Sequence, residues 1–168
     1  MFSLLRLVLP VTFALTPPLI SQGNSFFKEQ AIQQIQETKK CFSCNLSQVN
    51  LSGANLEKVD LRASDLQGAN LKNANLRYAN LEWVDLRSAN LTGADLTGAI
   101  LKSTLLVDSN LQEANLEESY LERADFRNAN LSRTNFAQAV KGDNIQENRS
   151  VTLCQTVLPN GTISNRNC

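Results

Sequence analysis

The 168-residue chain has no histidine, and its sixteen basic residues are balanced by sixteen acidic ones. Without histidine, the commonest general base and the commonest nitrogen ligand for metals are both missing. A formal charge of zero gives no electrostatic reason for a nucleic-acid partner. There is no G-x-S-x-G and no phosphate-binding glycine loop. Adjacent carboxylates such as Glu117 and Glu118 lack the apolar pocket that would raise one of them for acid catalysis. The longest apolar run, Leu7 to Leu15, is shorter than the ~20 residues of a membrane-spanning helix. These absences point away from an enzyme. No catalytic, cofactor-binding or metal-binding residue is expected, and no cofactor.

What is present is a period. From Cys44 to Gln138 the chain reads as nineteen consecutive five-residue units, each with a large apolar residue at its centre, from Leu46 and Leu51 through Leu121 to Phe126, Leu131 and Phe136. Two positions before the centre sits a small or β-branched residue, as at Ala54, Val59, Ser64 and Ala69, and between the two is usually Asn or Asp.

Five residues at the helical step of about 100° advance a side chain by roughly 500°, so successive leucines on an α-helix would face different ways. On a straight strand an odd repeat sends alternate leucines to opposite faces. One shared core therefore requires the chain to bend at every unit and wind as a solenoid whose coils pair only with their neighbours. With four units per coil, every twentieth residue is stacked. The column Asn50, Asn70, Asn90, Asn110, Asn130 is then pure asparagine, and the outer column Arg62, Glu82, Lys102, Glu122 alternates in sign. Both are sensible at the ~4.8 Å spacing of neighbouring backbones, through side-chain ladders and opposite charges.

The runs Ala54-Asn55-Leu56, Ala74-Asn75-Leu76 and Ala94-Asp95-Leu96 resemble the pentapeptide repeat family. The resemblance implies an all-β fold, a right-handed quadrilateral β-helix, with the central residue and the one two before it pointing inward. Departures from the family pattern occur at Ile100, Leu105 and Tyr120, where Asn or Asp is usual, and at Ser64, Thr104, Ser109, Ser119 and Thr134, where Ala is commonest.

The flanks read as follows. Residues 1–23 look like a secretory signal peptide: Arg6, the apolar run, Pro17-Pro18, and then Ser21 and Gly23 placed for cleavage, so that the mature chain begins near Asn24 with no membrane insertion. Residues 24–40 read as a short capping helix behind an Asn or Ser cap, with an apolar stripe of Phe27, Ala31, Ile32 and Ile35 that covers the open end of the solenoid. The solenoid is assigned to 41–138. Beyond it Lys141 takes a core position, so the coil is expected to stop, and 139–168 forms a C-terminal cap. There Pro159-Asn160-Gly161 between two β-rich runs signals a hairpin.

Cys41 and Cys44 form a C-x-x-C pair that falls on inward positions of the first coil. This favours a structural disulfide over a redox or metal site. Four cysteines allow three pairings. Nearly five coils at about 4.8 Å separate the N-terminal pair from the C-terminal pair by roughly 20 Å, beyond the ~7 Å Cα reach of a disulfide. The expected pairs are Cys41 with Cys44 and Cys154 with Cys168.

The export signal, helix, C-x-x-C and cysteine-bearing tail together look like exported cyanobacterial pentapeptide repeat proteins. That likeness implies the periplasm or thylakoid lumen. The expected function is a non-enzymatic structural or protein-binding scaffold, a monomer whose partner is another protein. Its candidate interaction surface is the set of outward apolar residues Tyr78, Trp83, Ile100, Leu105, Val107 and Tyr120. The alternative is a DNA-mimicking modulator of a type II topoisomerase such as gyrase, an activity known for some members of the family. Against it, the nineteen units carry twelve acidic and nine basic residues, and these cancel locally instead of building a field of one sign.

Overall fold

The computed structural model describes residues 23–142, 145 and 148–168. Apart from Gly23, the expected signal peptide lies outside the described residues. Helix α1 (Gly23–Thr38) comes first, then the coil, then an antiparallel pair of strands, β1 (Leu153–Val157) and β2 (Ile163–Arg166).

Each unit is one turn. In a representative unit the Ala79 N–H donates to the Leu76 carbonyl at 3.0 Å, and Tyr78 between them has a φ of 56°. The same left-handed residue recurs in every unit from Gln48 to Gln138, supplied by glycine at Gly53, Gly68, Gly93 and Gly98. Each left-handed non-glycine residue costs about 1 kcal/mol, which the stacked coils must offset. They do so through the backbone: Leu76 N–H donates to Asp95 at 2.7 Å, Tyr78 N–H to Thr97 at 2.9 Å, and Asn75 N–H to Ala54 at 3.0 Å. Parallel bridges join residues twenty apart without a break from Lys40–Asp60 to Tyr120–Val140. Four units therefore separate each residue from the one stacked on it.

The central leucines, together with Phe126 and Phe136, are buried along the whole coil, as are most of the residues two before them. Hydroxyls replace methyls in this core without loss, because each finds a carbonyl. Thr104 Oγ1 donates to Leu81 O at 2.8 Å, Ser64 Oγ to Cys41 O at 2.8 Å, and Ser119 Oγ to Leu116 O at 2.7 Å.

At the N-terminal end, Ala31 and Ile35 of α1 are buried and Ile32 packs beside them. Phe27 does not join them: it is 66% exposed. The physical reason is length. A 16-residue helix is about 24 Å long, whereas a five-residue side spans at most about 16 Å, so the first turns overhang the coil. The helix also begins one residue earlier than its expected cap, which puts Asn24 and Ser25 inside the first turn. Both disulfides join the expected cysteines, Cys41 to Cys44 and Cys154 to Cys168.

The coil does not stop at the last regular unit. Val140 still bridges Tyr120, and further along the chain Thr152 bridges Asn130 and Val157 bridges Asn135. Val151, Leu153, Thr156 and Leu158 are buried, which makes Val151–Gln155 and Thr156–Asn160 two further units. Lys141 escapes the core because Gly142 sits over Leu121 in its place, beside Ile145 and Pro159. From Val140 to Thr152 the chain takes twelve residues where two regular units take ten, so Asn130 and Thr152 stand twenty-two apart. Strand β2 then folds back on β1 through the turn at Gly161, whose φ is 79°.

Candidate interaction surface

The Asn or Asp before each central residue has a job within its own unit. Its Oδ1 accepts the N–H two residues on, as from Thr92 to Asn90 at 3.1 Å, Glu82 to Asn80 at 3.2 Å and Arg127 to Asp125 at 3.1 Å. Bonds between stacked asparagines are fewer, for example Asn70 Nδ2 to Asn50 at 3.1 Å and Asn135 Nδ2 to Asn115 at 3.0 Å. The clamp on the turn is thus the general role, and the ladder is an occasional one.

Ile100, Leu105 and Tyr120 have no such oxygen, so the N–H groups of Lys102, Val107 and Glu122 lose that acceptor. A hydrogen bond of this kind contributes about 0.5–1.5 kcal/mol. Each replacement therefore gives up local stability and places an apolar side chain on the outside.

Two of the three are stacked. Ile100 bridges Tyr120, and Tyr120 bridges Val140, forming an apolar corner column in which the three are 36%, 51% and 40% exposed. A groove runs along each flank. One is lined by Ile100, Lys102, Tyr120, Glu122, Val140 and Lys141, and the other by Tyr78, Gly98, Glu118, Tyr120, Gln138 and Val140. Tyr120 is the ridge between them. In the second groove the Tyr78 ring lies across Gly98, where an added Cβ would come within 2.6 Å of two ring carbons. The Arg77 guanidinium stands 5.4 Å from the same ring and pairs with Asp95 at 3.1 Å.

Of the six surface residues expected from the sequence, the structure brings Tyr78, Ile100 and Tyr120 together. Trp83 is exposed on the side that follows the corner, while Leu105, exposed, and half-buried Val107 belong to the next corner and side. Val140 was not among the six. Its signal was its position twenty after Tyr120, which goes unread once the coil is ended at Gln138.

The charges around the surface are paired. Lys102 meets Glu82 at 3.5 Å and Lys141 meets Glu122 at 2.9 Å. The Lys141 ammonium holds the Glu122 carboxyl below its ordinary range. Elsewhere Arg62, Arg87 and Arg127 each bond the carboxylate two residues earlier, and those hydrogen bonds lower Asp60, Asp85 and Asp125 against the opposing effect of partial burial.

A family model for pentapeptide repeats matches eight copies over residues 44–77, 64–102 and 105–140. The chain belongs to the pentapeptide repeat family. Among solved pentapeptide repeat structures it is similar to Rfr23 of the cyanobacterium Cyanothece 51142, at 30% identity and a TM-score of 0.65, over 67% of this chain and 90% of that one. It is also similar to a pentapeptide repeat protein from the thylakoid lumen of Arabidopsis thaliana, at 29% identity and TM-score 0.61, over 71% and 81% of the two chains. A third similar structure, from Nostoc PCC 7120, gives 30% identity and TM-score 0.53 over 73% and 92%. No curated protein sequence matches. As a pentapeptide repeat protein the chain has a β-helical fold, and its similar structures include cyanobacterial and lumenal proteins.

Proposed function

We propose that this protein is an exported, non-enzymatic scaffold: a right-handed, four-sided rod that binds another protein through the apolar corner. The observation that carries the reading is the substitution of Ile100, Leu105 and Tyr120 for turn-clamping Asn or Asp. Stability is surrendered at these positions for exposed apolar surface, a pattern that binding explains and folding does not. The anchors are Ile100, Tyr120 and Val140, with Tyr78 and Trp83 on either flank. The compartment is the periplasm or thylakoid lumen, reached through a cleaved signal within residues 1–23. Two disulfides suit such a compartment, and so does the similarity to a lumenal protein. The other reading, a DNA-like rod acting on gyrase, lacks support from the charges, which pair within columns as Lys102 does with Glu82.

Co-purification from the native compartment tests the proposal. Wild type should retain a partner that the triple variant Trp83→Ser, Ile100→Ser, Tyr120→Ser loses while keeping the same far-ultraviolet spectrum. Identical partner lists from the two proteins remove the surface.

A further inference from the structure

The charges on the side that follows the corner column carry information beyond their own neutralisation. Glu82, Lys102, Glu122 and Lys141 stand one above another, and beside them run Asn80, Ile100, Tyr120 and Val140, each bridged to the next. A column that alternates in sign is complementary to itself when reversed. So is a corner with its two bulkiest apolar residues adjacent. An isologous two-fold contact requires this kind of self-complementarity from a single surface.

We propose that this side of the rod is a contact between two copies of the chain, packed face to face and antiparallel, with the two-fold axis crossing between the levels of Lys102 and Glu122. The proposal rests on the protein-binding reading above and names the partner of that surface as a second copy, in place of the monomer expected from the sequence. In this register Lys102 faces Glu122 of the second copy, and Glu82 faces Lys141. Ile100 packs on Tyr120, twice over. Both intramolecular ion pairs become parts of four-charge networks.

Other registers oppose like charges, lose apolar contact, or, like a crossing between Glu122 and Lys141, no longer set Ile100 against Tyr120. Moving the axis to the level of Glu122 opposes two glutamates. Moving it between Glu82 and Lys102 keeps opposite charges together but sets Asn80 against Ile100 and Asp60 against Tyr120. An axis running along the rod brings the corner column onto the opposite edge of the same side, so that Tyr120 meets Asp125. The crossing between Lys102 and Glu122 opposes unlike charges at all four levels of the column and sets Ile100 against Tyr120 twice, at the cost of facing Asn80 with Val140 and Leu105 with Asp125.

The contact is small. A side about 16 Å wide and five coils of ~4.8 Å tall falls short of the ~800 Å² per partner typical of stable complexes, so association is weak and reversible, with half-dimerisation between about 10 µM and 1 mM.

Sedimentation equilibrium of the purified protein up to about 1 mM tests this without reference to any other partner. Wild type should dimerise reversibly. Lys102→Glu alone and Glu122→Lys alone, each folded by far-ultraviolet spectrum, should weaken dimerisation about tenfold or more, because each homodimer then opposes like charges twice. An equimolar mixture of the two should recover it, since in the mixed dimer the introduced glutamate faces the introduced lysine, and the unchanged Glu122 of one copy faces the unchanged Lys102 of the other. A wild type that stays monomeric throughout overturns the proposal, as does a mixture no more associated than its components. If wild type stays monomeric yet the triple variant still loses a co-purified partner, the scaffold reading stands and the dimer alone falls.

Discussion

The three corners that lack a clamp make opposite predictions for stability and for binding. Ile100→Asn and Tyr120→Asn each restore the turn-capping oxygen and should raise unfolding free energy by about 1 kcal/mol, read from denaturant midpoints, while weakening association. A fall in stability on both substitutions would mean that these side chains serve the fold. By contrast, Leu86 is wholly buried, and Leu86→Ala should cost about 2–5 kcal/mol through lost transfer energy and a cavity; an unchanged midpoint would contradict its inward position. The central leucines were legible in the sequence because a strict odd period admits a single geometry. The clamp was not, because an Oδ1 that bonds its own backbone two residues on leaves the same Asn or Asp pattern as a ladder between coils.

Among the elements, the legibility of each depends on whether the period continues into it. The last two units share the repeat's inward spacing, with Val151 and Leu153 followed by Thr156 and Leu158, but two extra residues between Val140 and Thr152 shift their frame and hide them. The helix was legible in existence and seating, through Ala31 and Ile35, while Phe27 shows that a periodic stripe does not say how far a helix outruns its support. The C-terminal disulfide, with a sequence separation of 14, closes a loop whose constraint contributes about 3 kcal/mol in the chain-entropy view. The double variant Cys154→Ser, Cys168→Ser should lose stability of that order, and amide exchange should accelerate across β2 while the mid-coil amides keep their protection. Uniform acceleration along the whole coil would show that the tail is not a separable cap.

For the whole molecule, acid sensitivity follows from the arginine-paired aspartates. Asp60, Asp85 and Asp125 have folded pKa values lowered from 3.8, so the unfolded chain binds protons more readily in acid. Their contribution is present above pH 3.8 and is lost as the pH falls through their folded values. Thermal midpoints should therefore decline below that point, and the decline should be shallower in Arg87→Met, which has already lost one pair. A midpoint independent of pH across this window would exclude the pairs as stabilising. These partly exposed pairs are modest individually, and it is their repetition along the rod that makes the effect measurable.

The unbroken twenty-residue register between two dissimilar ends makes the length of the array quantised. Excising Asn70 to Ala89 removes one full revolution and rejoins the ends in their original orientation, so the shortened chain should fold, with both disulfides formed on peptide mapping. Excising five residues instead, such as Asn70 to Ala74, turns one terminus a quarter revolution against the other, and columns that cross the junction no longer align. Inherited changes of length in such a rod would then be tolerated in steps of twenty, and in steps of forty where the sign alternation of the outer column is to be kept.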